Sequence, residues 1–176
     1  MTSQLEPHQV AARLVDGAGG HLIGRTRLQK VACLAMLAGF LDDFAFEYRH
    51  YGPYSEGLAG SMEIAAALGF VREQEVRAAW GGWYSIYDKT GQTPLDTDSQ
   101  RARFLAEAAK ISPVQLELAA TAAFLHATEG LDAEAAWMET ETRKPDKAAE
   151  GRLQAAKDAY RKLLVLPTLR PLPAIA

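Results

Sequence analysis

Cysteine is all but missing from this chain. Cys33 stands alone, which excludes an intrachain disulfide and suits a reducing compartment. It lies within an apolar run, where an inert core thiol is expected, because a catalytic thiol needs an accessible thiolate beside a base. Histidine is sparse and scattered: His8, His21, His50 and His126 form no H-x-x-x-H or C-x-x-C spacing, so no metal site is expected. Long apolar runs are missing as well. The stretch from Val31 to Leu41 falls well short of the roughly 20 residues that a bilayer requires. The opening MTSQLEPHQV has neither the basic start nor the apolar centre of a signal peptide, and the expected location is the cytoplasm. Nor is there an excess of basic residues. With a formal net charge of -3 and a pI near 5.8, no global field draws the chain to nucleic acid or anionic lipid.

What remains is an ordinary globular composition. Hydrophobic residues make up 48% and charged residues 23% of 176 positions, enough for one domain to bury a core without staples. Helix formers dominate outside the 44–90 region, so the expected fold is mainly α with a small β-hairpin. A first helix is expected from Pro7 to just before DGAGGH, a segment that reads as a flexible connector. It lacks the Gly-Lys-Ser/Thr ending of a phosphate loop, and no strand precedes it. A second helix, about Thr26 to Ala38, is apolar on nearly every side after Lys30 and should be central. Phe44 to Tyr51 alternate with the period of a half-buried strand, broken by Gly52-Pro53. Ser55 then caps a third helix carrying Leu58, Met62, Ala65 and Leu68.

A hairpin is expected near 70–90, with Gly81-Gly82 as a two-residue turn that brings Trp80 opposite Trp83. Helices around such a hairpin suggest a winged-helix-like arrangement. Further on, Ser112-Pro113-Val114-Gln115 reads as a capped helix start, Gly130 as a stop and Asp132 as the next cap. Lys144-Pro145 marks a break before an amphipathic helix carrying Leu153, Ala156, Tyr160 and Leu163. One mostly helical domain over 1–166 is therefore expected. An extended Pro-rich tail, 167–176, should follow with a frayed end.

The stretch from Gly24 to Val71 is the most distinctive. Its R-x-x-L-Q-K helix start (Arg27, Leu28, Gln29, Lys30) and its Y-G-P-Y-S turn (Tyr51 to Ser55) resemble a small bacterial family typified by YwgA. More remotely, the chain resembles the Panacea domain of SocA-like antitoxins, whose turn signature is shorter and whose C-terminal half differs. The resemblance implies a partner-binding or regulatory role rather than catalysis. In it, Gln29 and Lys30 could hydrogen-bond the turn backbone and lock strand to helix, or the turn could itself be a contact surface.

The residues point the same way by omission. Asp42-Asp43 and Glu139/Glu141 are carboxylate pairs only in sequence, because neighbours on a strand or helix point apart. No enzyme signature and no cofactor is expected. Exposed Tyr, Trp and Arg are the residue types of interface hot spots. The expected contact surface is accordingly Arg27, Lys30, Tyr51, Tyr54, Trp80 and Trp83, and the expected partner is a protein. DNA binding by a winged-helix regulator, dimeric through its C-terminal helices, is the alternative. It is disfavoured because the expected recognition helix, EGLAGSMEIAAALG, carries no base with which to read a groove. A third reading puts an enzyme site at the aromatic turn with His50.

Overall fold

The computed structural model describes residues 4–176. Helix α1 (Pro7–Gly17) starts from Glu6, which exchanges hydrogen bonds with Gln9 in a capping box. Strand β1 (His21–Ile23) leads into α2 (Arg25–Leu37). A small hairpin, β2 (Glu47–Arg49) and β3 (Gly52–Tyr54), precedes α3 (Glu56–Ala67). A longer hairpin follows, β4 (Val71–Arg77) and β5 (Trp83–Lys89). The rest is helical: α4 (Ser99–Ala109), α5 (Pro113–Glu129), α6 (Ala133–Arg143), the single turn α7 (Pro145–Ala148) and α8 (Arg152–Leu164). The fold is mainly α with a small antiparallel β component.

Helix α2 is central, as its composition demands. Every residue from Leu28 to Ala35 is buried, and the helix packs against α5 and α4. Cys33 is fully buried, and burial pushes its thiol up to about 12. Helix α5 carries a second continuous buried run, Leu116 to Leu125, and lies between α2 and α8. These two helices are the axis of the core.

The Gly-rich segment is more than a connector. Its last residues form β1, which pairs antiparallel with β5 in the order β1-β5-β4, His21 opposite Asp88 and Ile23 opposite Ile86. Leu22 drives this: it is the buried residue between two exposed neighbours. The Y-G-P-Y-S segment also differs from expectation. The chain reverses at His50-Tyr51, and Gly52-Pro53-Tyr54 is itself a strand, with Pro53 opposite Tyr48. A proline is tolerated in so short a two-stranded ladder. Gly52 is required on two counts. Its φ of +88° suits only glycine, and a Cβ there would lie 2.6 Å from Thr121 Oγ1.

The long hairpin closes through the five residues 78–82 rather than a two-residue turn. Ala78 N–H donates to Gly82 O at 2.7 Å and Gly81 N–H to Ala78 O at 2.9 Å. Trp83 pairs with Arg77, so the two tryptophans do not face each other across the ladder. Trp80 instead folds over the turn, where a Cβ on Gly82 would collide with its ring at 1.6 Å.

Smaller expectations divide. Ser55 caps α3, accepting from Leu58 N–H at 3.1 Å, and Asp132 caps α6, accepting from Ala135 N–H at 2.8 Å. Ser112 makes no side-chain cap bond. Leu68 is exposed, because α3 turns it away from the face that Leu58, Met62 and Ala65 bury. The tail after α8 has no regular structure, yet it is packed rather than frayed. Leu172 and Ile175 are buried, Trp137 Nε1 donates to Ile175 O at 2.7 Å, and Tyr160 OH donates to Pro173 O at 2.7 Å. Arg170 N–H also donates to Ala38 O at 2.9 Å, tying the tail to the end of α2.

Candidate functional site

The basic residues at the start of α2 diverge around the helix. Arg25 reaches the sheet, donating to Glu73 Oε1 at 2.9 Å and to Glu75 Oε1 at 3.0 Å. The hydrogen bond to Glu73 raises the guanidinium pKa. Burial alone would push the Glu73 carboxyl up, but donors from Ser85, at 2.6 Å, and Arg25 outweigh it and hold the carboxyl below its usual range. Arg27 turns the other way and ties β1 to the end of α4, donating to the carbonyls of Ile23 at 3.1 Å, Ala109 at 2.6 Å and Ile111 at 2.8 Å. Half-buried among carbonyls, it keeps a charge that no carboxylate among these bonds cancels.

Lys30 points inward and is 1% exposed, so it belongs to no contact surface. Its Nζ donates to Pro53 O at 2.7 Å. Gln29 beside it makes a two-way bond with Ser55, donating from Nε2 to the carbonyl at 2.9 Å and accepting from the N–H at 2.8 Å. The R-x-x-L-Q-K and Y-G-P-Y-S segments therefore bind each other, the locking role that the sequence allowed for them. Burial pushes the Lys30 ammonium down to about 8.

A buried charge cluster that the sequence did not reveal reinforces this lock. Glu117 on α5 accepts from Lys144 Nζ at 2.7 Å and from Lys147 Nζ at 2.6 Å. Lys144 also donates to His50 O at 3.2 Å, so the last residue before α7 holds the tip of the small hairpin. Thr121, one turn beyond Glu117, has a buried Oγ1 without a hydrogen-bond partner. The signal available in advance was a lone Glu and a lone Thr in LELAATAAFL, polar residues on a helix otherwise apolar all round.

Of the Y-G-P-Y-S aromatics, Tyr51 stands out. It is 56% exposed at the hairpin tip, edge-on to His50 and beneath Lys147, whose Nζ lies 5.1 Å from the ring centre. Tyr54 is half-buried under the Arg49 guanidinium, 5.2 Å away, and faces a different part of the surface. Arg49 itself is held by Glu47 and by Glu56.

Tyr51, Trp80, Trp83 and Arg27 line one groove of about 600 Å³. One wall is the β4–β5 hairpin, with Trp80 78% and Trp83 65% exposed and Tyr84 behind them. The other is formed where α2 and α5 begin, with Arg25 and Thr26 on the first and Pro113 on the second. Ile23 and Ser85 lie in the groove and Glu75 stands at its edge. Four of the six expected contact residues thus converge, while Lys30 is buried and Tyr54 lies elsewhere. Glu75 and Pro113 were not legible as groove residues, and Arg25 stood out only as one of the basic residues at the start of the second helix, because sheet and helix starts meet only in the folded chain.

Among the described residues, no group of three or more His, Cys, Asp or Glu side chains is placed to hold a metal ion. No helix among them is long and apolar enough to cross a membrane.

No known family profile matches the chain. A curated protein, the uncharacterised YwgA of Bacillus subtilis (strain 168), is 35% identical to it over 80 residues. That stretch is 44% of this chain and 47% of YwgA, so the chain spans about half the length of the relative it matches. The likeness to YwgA supports the resemblance carried by the helix start and aromatic turn, and it brings no known activity with it.

Proposed function

We propose that this chain is a non-enzymatic protein-interaction module, an antitoxin-like or regulatory adaptor that binds a partner protein through the groove between the long hairpin and the starts of α2 and α5. One observation carries the reading: three large aromatic side chains, Trp80, Trp83 and Tyr51, stand more than half exposed on a single groove. Leaving such rings in water forfeits burial that a partner would supply, and Trp and Tyr are the residues on which interface energy concentrates. The antitoxin-like part rests on the resemblance to the Panacea domain.

The alternative is a winged-helix DNA-binding regulator, dimeric through its C-terminal helices. The element order α1-β1-α2-β2-β3-α3-β4-β5, a winged-helix succession interrupted by the small β2–β3 hairpin, and the sheet order β1-β5-β4 favour the winged-helix part of that reading. The charge distribution speaks against DNA. The exposed side of α3 offers Glu63, Ile64 and Leu68, with no basic or amide side chain for guanine or adenine edges and an acid that phosphates repel. Arg25, Arg27 and Lys30 are all bonded within the protein rather than grouped on one open face.

The test is capture from the native host, with nuclease, using the full chain beside a variant combining Trp80→Ala and Trp83→Ala. The expected outcome is a stoichiometric protein that survives nuclease and is lost with the double variant, whose fold is checked by circular dichroism. Equal capture by both proteins overturns the groove as the binding face. Recovery of DNA without protein, weakening steeply with salt, selects the regulator instead.

A further inference from the structure

The groove has a charge preference as well as an aromatic one, and we infer that its occupant is an extended acidic segment of the partner protein. That segment sets a proline or aromatic side chain against Trp80 and Trp83 and a carboxylate at Arg25. Its acidity goes beyond the interaction module proposed above and rests on it.

Positive charge reaches the groove wall from several sources, against the carboxylates of Glu73 and Glu75. Arg25 stands at the lip with its side chain 60% exposed. Arg27, which lines the same groove from the side of β1 and α4, is bonded only to neutral carbonyls, so its charge is not cancelled by those partners. Helices α2 and α5 both begin here, and neither has an acidic residue in its first turn or a side-chain cap on its free N–H groups. Their positive ends add to the guanidinium groups. The chain as a whole carries -3, so this potential is local.

The acids nearby set how a carboxylate could enter. Glu73 is only 16% exposed and is held by Ser85 as well as Arg25, so it stays where it is. Glu75 is 62% exposed, and its bond to the equally exposed Arg25 is the weak kind of pair. An incoming carboxylate takes the place of Glu75. The flat faces of Trp80, Trp83 and Tyr51 complete the site, since open aromatic grooves take extended segments whose side chains seat against the rings. Single-stranded nucleic acid would also stack on such rings. Glu73 and Glu75 in the same wall disfavour its repeated phosphates.

The probe is a phage-displayed library of random dodecapeptides selected on the full chain. The peptides recovered are then titrated against wild type, Trp83→Ala, Arg25→Gln and Glu75→Gln by fluorescence anisotropy. The expected pool is rich in Asp and Glu next to Pro, Phe, Tyr or Trp, and its binding is lost in Trp83→Ala. Affinity falls about tenfold in Arg25→Gln, as for a charge pair broken within an interface. It rises roughly two- to fivefold in Glu75→Gln, because the competing acid is gone.

A pool that needs Trp83 but lacks acids, or an affinity unchanged in Glu75→Gln, overturns the acidic segment and leaves the interaction module standing. A pool that binds Trp83→Ala as well as wild type, or no enrichment at all, overturns the acidic segment, and host capture with the tryptophan variant then decides the module by itself. A labelled twelve-nucleotide oligothymidine that binds more tightly than any selected peptide also overturns it.

Discussion

Replacing Lys30 with methionine should alter how stability depends on pH. Lys30 is buried between α2, α5 and the small hairpin, and loss of hydration lowers its pKa from 10.5 to about 8. Glu117 and Cys33 pull it back upward, while Lys144 and Lys147 push it further down. Between these two values the unfolded chain holds a proton that the folded chain has released, so stability rises with pH across that window. Below it both states are protonated, and burial of the ammonium costs a constant amount of about 3 kcal/mol. From pH 8 to pH 9 this cost relaxes by about 1 kcal/mol.

Cys33 acts in the opposite direction. Its folded pKa is raised from 9.0 to about 12, so the unfolded thiol ionises first and stability falls as pH rises through that range. That loss is common to wild type and variant and cancels in their difference. Methionine fills much of the lysine stem but leaves Pro53 O without its donor, a cost of about 1–2 kcal/mol that does not vary with pH. The assay is urea unfolding followed by tryptophan fluorescence at successive pH values. Wild type should gain about 1 kcal/mol on Lys30→Met between pH 8 and pH 9. A difference that stays flat over that interval refutes a depressed ammonium at this position.

Two further substitutions probe the same core. Thr121→Val removes a buried hydroxyl that has no partner and keeps the side-chain shape, so the variant should be more stable by about 1 kcal/mol in urea. A loss of stability would mean that the hydroxyl is bonded after all. Deleting residues 171–176 strips Leu172 and Ile175 from the core and the acceptors from Trp137 and Tyr160, and should cost about 3–5 kcal/mol by the same measurement. An unchanged midpoint would mean that the tail merely rests on the surface.

The sequence was most legible where a local rule and a buried partner agree. Ser55 and Asp132 are caps in both sequence and structure, and the all-round apolar α2 is central because no other position covers such a helix. It was least legible where the partner is distant. Strand β1 is three residues long and is held by β5, with His21 and Asp88 standing 67 positions apart in the chain. No alternation can announce so short a strand, and the glycines on either side of it signal only flexibility. The packing of the tail is hidden for a similar reason: its prolines mark an extended backbone, and extended backbone is as compatible with packing against Ala38, Trp137 and Tyr160 as with fraying. Lys30 shows the limit of residue type. A lysine at a helix start reads as surface, and only the Pro53 carbonyl beside it turns it inward.

The placement of Lys30 also separates the two roles that the aromatic turn could have had. Within the segments that carry the resemblance, Gln29 is spent on Ser55, Lys30 on Pro53, Arg27 on the carbonyls of neighbouring elements, and Gly52 on a space that any side chain would overfill. Tyr51 is the member of that set left facing solvent at the groove, and it is held there by a hairpin whose tip is bonded to Lys144. The turn motif is therefore a scaffold first. The large aromatic walls, Trp80 and Trp83, come from a hairpin outside both motifs and are packed against little else. The proposed binding face could change its ligand through the hairpin tip without disturbing the buried lysines, since Trp80 and Trp83 share no bond with the Lys30, Lys144 and Glu117 cluster.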